Sequence, residues 1–192
     1  STLFPYTTLF RSPYRITKSP LDATLRELTV AGGNDDFRRL SADLNQPFGA
    51  SAAGRLNLMV HDAGVPGRDV VENTRWGVAP SLAFGLGTDT RFTLAYLYLE
   101  QDNVPDYGLP WNIPAGANLG IDLDRDNFYG LVDYDFEDIE TEAATARVEH
   151  DFSERVAIET TLRYFDNFRD SAITAPRPPN RQLQRRTTGS EL

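Results

Sequence analysis

Apolar and polar residues alternate along most of the chain, in runs of about nine to twelve residues, the length of a tilted membrane strand. Helical periodicity is scarce. The alternation predicts seven strands, near residues 24–32, 37–46, 55–61, 75–84, 91–102, 142–150 and 156–165. Leu40, Ala42 and Leu44 share one face of the second, with Asp43 and Asn45 on the other. Leu56, Leu58 and Val60 oppose Arg55, Asn57 and His61 on the third. On the fourth, Trp76, Val78, Leu82 and Phe84 oppose the small residues Gly77, Ala79, Ser81 and Ala83. Pro80 sits in that strand although it lacks a ladder donor. Phe92, Leu94, Tyr96 and Tyr98 line one side of the fifth, and Ala144, Ala146 and Val148 one side of the sixth. Val156, Ile158, Leu162 and Tyr164 alternate with Glu159, Thr161 and Arg163 on the seventh.

The connections carry a second pattern. Those at 46–53, 85–90 and 151–155 are short, whereas those at 62–74 and 103–140 and the stretch after 167 are long. The Gly33-Asn34-Asp35 turn is a short exception among the outer set. Tight turns at one rim and long loops at the other describe an antiparallel β-meander of the outer-membrane barrel type. Its apolar face would meet lipid, and its charged face a wet lumen. Alternation alone also fits a soluble β-sandwich or small barrel with the faces reversed. The long 103–140 connection and the matched strand lengths favour the membrane barrel. The fold class expected is therefore all-β, an antiparallel meander forming a partial, unclosed transmembrane β-barrel.

Composition narrows the chemistry. The 192 residues carry a formal net charge of −9 and no cysteine. An acidic chain without a basic stripe repels nucleic-acid phosphates, so no nucleic-acid partner is expected. The missing thiols rule out disulfides and thiolate metal sites. No apolar run is long enough for a membrane helix, which leaves membrane strands untouched, since they hide their apolar face by alternation. Residues 2–12, TLFPYTTLFRS, back-translate in one reading frame to a string resembling a common sequencing-library adapter. Residues 1–12 are accordingly expected to be a non-native leader.

Several blocks together resemble one family. Ile16-Thr17-Lys18-Ser19-Pro20 looks like the segment that closes the plug domain of TonB-dependent siderophore receptors, especially the ferric-catecholate branch. Glu27 through Pro47, with its GG turn and its ending in Asn45-Gln46-Pro47, resembles their first barrel hairpin. His61-Asp62, Gly67 through Asn73, Trp76 through Ser81, and above all Leu99 through Gly108 follow in family order. Asn127-Phe128-Tyr129-Gly130, Arg147 through Phe152, and Ile173 through Arg177 complete the series. The resemblance implies a plug remnant at 13–20 and the N-terminal portion of the barrel at 21–192. Such barrels have about 22 strands around a plugged lumen. It further implies binding and import of a ferric siderophore, a wall in outer-membrane lipid, and TonB acting through a region upstream of this chain. A passive porin-like channel is the alternative transporter, but it has no use for a plug-closing segment.

The family reading requires no enzyme activity, no catalytic residue and no resident cofactor or metal. Aromatic faces with Arg or Tyr donors suit a bulky anionic ligand. The loop candidates are Tyr107, Trp111, Phe128 and Tyr129, with Arg125 supplying charge; for any single aromatic, packing the loop or forming the interfacial girdle is the simpler reading. Asp122, Asp124 and Asp126 superficially resemble a calcium loop, but Asn127 and Asp133 stand where an EF-hand needs Gly and Glu. The two histidines, His61 and His150, lie in different hairpins, and no nucleophile is positioned beside either.

Overall fold

The computed structural model describes residues 18–109 and 124–175. Among them are seven strands: β1 (Leu25–Gly32), β2 (Arg38–Phe48), β3 (Ala52–Val65), β4 (Arg68–Phe84), β5 (Thr90–Asn103), β6 (Phe136–Ser153) and β7 (Val156–Ala172). They form one antiparallel sheet in strict chain order. β1 and β7 are its two edges, so the meander is open. Residues 1–12, the expected leader, lie outside the described residues.

Each expected strand is present, and most run further than the alternation indicated. The 62–74 connection is not a long loop. β3 continues to Val65, β4 begins at Arg68, and only Pro66 and Gly67 turn between them. β6 likewise starts at Phe136, which shortens the 103–140 connection to residues 104–135. The added lengths mix polar residues such as Asp62, Asp69, Glu72 and Glu137 with apolar ones such as Val65, Val70 and Val71, in no regular alternation. Alternation fades there while the hydrogen-bonded ladder continues.

Pro80 is accommodated by losing pairing on one side only. It stays in register with Leu56 of β3, but the β4–β5 pairing skips from Val78–Tyr98 to Ser81–Ala95. The donor that proline lacks is therefore missing toward β5.

Burial is inverted relative to a water-soluble domain. Leu28, Leu40, Leu44, Leu58, Val60, Leu82, Leu94, Ile158 and Leu162 are exposed, Leu162 to 74%. Asp43, Asn45, Ser81, Asn103 and Thr141 are buried. A sheet curved toward its polar face produces this contrast. Among the described residues the buried apolar side chains are few, namely Ala53, Ala63, Val71, Ala83 and Phe128. The exposed apolar face is one continuous band, stable only against an apolar surrounding.

Aromatic side chains edge the band. Phe48, Phe84 and Phe92 align across one rim through the pairs Phe48–Ala52, Ala52–Phe84 and Phe84–Phe92. The Phe48 and Phe84 rings meet edge-on at 6.4 Å. Trp76 and Tyr98 pack at 5.1 Å toward the other rim. Amphipathic rings are favoured at that boundary. Past it the outward face turns acidic: Glu100 is opposite Glu140, Asp102 opposite Asp138, and Glu142 opposite Asp166.

Candidate functional site

Three arrangements on the polar face and its far rim are chemically capable. The first is a clasp around residues 18–23. Asp43 and Asn45 are two residues apart on β2 and so share a face, and Arg55 of β3 is opposite Asn45. Arg55 forks onto Asp43, Nε to Oδ1 at 2.8 Å and Nη2 to Oδ2 at 2.7 Å. Its Nη1 donates to the Ser19 carbonyl at 2.7 Å. Lys18 Nζ reaches Asp43 at 2.6 Å. Asn45, 2% exposed, accepts from the Leu21 amide at 2.9 Å and donates to the Leu21 and Ala23 carbonyls at 2.8 and 2.6 Å. The strap before β1 is thereby fixed through its backbone, which needs no particular side chain at Leu21.

The second is a basic row near the outer end of the enclosed face. Arg39 is opposite His61, and His61 opposite Arg75. All three occupy odd positions in register with Asp43 and Asn45, so they point to the same side. The Phe37 ring meets His61 edge-on at 5.6 Å. His61 Nδ1 and Arg75 Nε are buried atoms with no hydrogen-bond partner. Two guanidinium groups flanking an imidazole, with the Arg75 Nε donor unused, are suited to an anion.

The third is the outer rim, where residues 104–109 and 124–126, the two described ends of the connection next to it, meet the β3–β4 hairpin. Arg68 donates from Nη2 to Asp106 Oδ1 at 2.9 Å and from Nη1 to the Arg125 carbonyl at 2.6 Å. Its Nε also lies 2.7 Å from Asp106 Oδ2, an ion pair whose N–H is poorly aimed for a hydrogen bond. The Asp69 amide donates to the Asp126 carbonyl at 2.7 Å, and the Val104 amide to that of Glu72 at 2.9 Å. Arg68, Asp106, Leu109, Arg125 and Asp126 surround a cleft of about 400 Å³. Asp135, 4% exposed, accepts from the amide and hydroxyl of Thr174 at 2.9 and 2.6 Å and ties the connection to the chain beyond β7.

The five loop candidates fall in different settings. Tyr107 and Arg125 are both exposed, one on each end of the connection at that rim. Phe128 is buried, and Tyr129 is half-buried with its hydroxyl donating to the Asp124 carbonyl at 3.0 Å. Trp111 and Asp122 lie outside the described residues. Asp124 Oδ1 accepts from the Asp126 amide at 3.0 Å, a turn closed on itself. Arg68, the basic row and the Asn45 clasp escaped the sequence reading. Arg68 stood in a stretch read as loop, and the other two depend on register between strands.

The sheet has close counterparts. The catecholate siderophore receptor Fiu of Escherichia coli K12 is 39% identical over 173 residues, covering 83% of this chain and 22% of that protein. The crystal structure of Fiu in its open form superposes with a TM-score of 0.76 at 38% identity, over 82% of this chain and 25% of that one. Over the stretch it spans, the chain belongs to the TonB-dependent siderophore receptors. PiuA of Acinetobacter baumannii, a probable TonB-dependent siderophore receptor, is 34% identical over 165 residues, covering 84% of the chain and 22% of PiuA. Its crystal structure gives a TM-score of 0.73. No family model matches the chain. The chain spans about a fifth of the length of the receptors it matches. In such a receptor the open edges β1 and β7 are places where the barrel sheet continues, and the enclosed polar face is the lumen.

Proposed function

We propose that this chain supplies part of the wall and outer rim of an outer-membrane receptor that binds and imports a ferric siderophore of the catecholate type. Relatives named for that ligand support the ligand class. The observation that carries the reading is the basic row Arg39–His61–Arg75 on the luminal side, at the end where the outward face is acidic. A ferric catecholate complex is anionic. It is attracted by unpaired guanidinium donors inside the lumen and repelled by the carboxylates outside it. Residues 13–20 belong to the end of a plug, and energy arrives from TonB through a region upstream. The clasp at residues 18–23 anchors that junction to the wall.

The test is uptake by the full-length receptor in cells lacking other ferric-catecholate receptors. Replacing Arg39 and Arg75 together by Gln is expected to weaken binding of ferric tris-catecholate by about a hundredfold, two charge-assisted contacts at roughly tenfold each. Undiminished binding by that variant, with uptake intact, would refute the role of the row. A wild-type receptor that takes up no ferric catecholate would refute the function.

A further inference from the structure

We propose that Arg68 is the positioning residue of the outer rim, holding residues 104–109 and 124–126, the two stems that carry the exposed Tyr107 and Arg125, at a fixed separation. This rests on the function proposed above. The argument begins with the hairpin that carries Arg68. Gly67, at a φ of 66°, makes the turn. The β3–β4 register then shifts: Val65 pairs with Arg68, and Gly64 with Glu72. Residues 69–71 are thus left without partners on β3, a bulge.

The bulge is held in an unfavourable conformation. Val70 has a φ of 68°, a region that a β-branched residue avoids, so its surroundings must over-determine it. Two contacts do so. Val71 is buried, and the Asp69 amide, released from the ladder, donates to Asp126. The strained Val70 and the Asp69 amide that reaches Asp126 belong to the same bulge.

Arg68 completes the arrangement. Its guanidinium touches Asp106 on the first stem and the Arg125 carbonyl on the second. Asp106 in turn accepts from the Gly108 amide at 2.7 Å, which fixes the backbone next to Tyr107. One planar group therefore bridges three chain segments. Lysine carries the same charge but has no fork with which to address a carboxylate and a carbonyl in different directions.

The experiment uses the full-length receptor in outer-membrane vesicles, with ferric tris-catecholate as probe. R68K is expected to weaken equilibrium binding by about tenfold while the uptake rate at saturating probe stays unchanged, since only the ligand-facing geometry is lost. Hydrogen exchange of the Asp69 and Gly108 amides should accelerate, while that of β5 and β6 should not. D106N should reproduce both effects, and the double variant should be no worse than either single one. Wild-type binding by R68K, or a loss of saturating uptake with faster exchange throughout β5 and β6, overturns the proposal. If the wild type binds no ferric catecholate, the proposed function fails. The exchange pattern still decides whether Arg68 holds the neck.

Discussion

Arg55 and Arg68 each set two guanidinium nitrogens against one aspartate, and their settings differ. Arg55 and Asp43 sit on adjacent strands, both side chains under 10% exposed, at positions the ladder would hold in place without them. Arg68 and Asp106 are somewhat more open, at 13% and 18%, and no ladder joins their segments at that point. The first pair is a consequence of the wall, and its role is to neutralise a carboxylate facing the lumen while presenting donors to the strap. The second pair is itself what holds a connection to a hairpin. The same chemical group serves stability in one place and geometry in the other. Burial separates them in part, and so does whether another interaction already fixes the partners.

That contrast predicts unequal costs. Arg55→Ala leaves Asp43 enclosed with only the exposed Lys18 as counter-charge, and should destabilise the folded receptor by about 3–5 kcal/mol. Thermal unfolding in detergent measures it. Arg68→Ala should cost under about 1 kcal/mol in the same assay, as a partly exposed pair does. Equal losses would erase the distinction between the forks.

The next effect tests the opposite face of the same wall. Leu58 is on the outward side, between Ala42 and Val78 and away from both aromatic rims. Leu58→Arg should cost about 2–4 kcal/mol if that face meets hydrocarbon. The assay is refolding into lipid vesicles under a urea gradient. No loss there would mean that water covers the face.

The smallest effect concerns a carboxylate whose neighbours across the ladder are acidic. Asp138 lies beyond the apolar band, opposite Asp102 and Asp170. Burial, then repulsion from Asp102, Asp170 and Glu100, raises its pKa above the ordinary carboxylate value. A raised folded pKa means that the folded state holds the proton more tightly. The resulting stability is present below the unfolded pKa and is lost as pH rises through the folded one. Asp138→Asn should therefore stabilise the outer ends of β5 and β6 at neutral pH by about 0.5 kcal/mol, the scale of a like-charge cross-strand pair. At pH values below the ordinary carboxylate range the gain should vanish. Local hydrogen exchange at Asn103 and Glu137 across that range reads it.

Much of the wall was legible in the residues. Strand positions, the polarity of each face and the tight turns at 49–51 and 154–155 follow from a period of two and from turn chemistry, both local properties. The outer extensions of β3, β4 and β6 were not legible. Residues such as Asp69, Glu72 and Asn73 are polar on both faces, so they carry no alternation, and their strand character comes from the partner strand alone. Of the loop candidates, Tyr107 and Arg125 could be named as exposed donors. Phe128 is buried, and the Tyr129 hydroxyl is taken by the Asp124 carbonyl five residues earlier, a turn contact that no alternation reports.

The sequence by itself determined that this is a meander of antiparallel strands with one greasy and one charged face, because each strand's alternation is written within a dozen residues. Only the tertiary structure decided which residues meet. Register set Arg55 beside Asn45 and aligned Arg39, His61 and Arg75 in one row, and a shift of one residue would have sent every one of those side chains to the other face. The strap under Asn45 and the neck under Arg68 join segments tens of residues apart. No local pattern encodes such contacts, because their free energy is gained only once the sheet between them has formed.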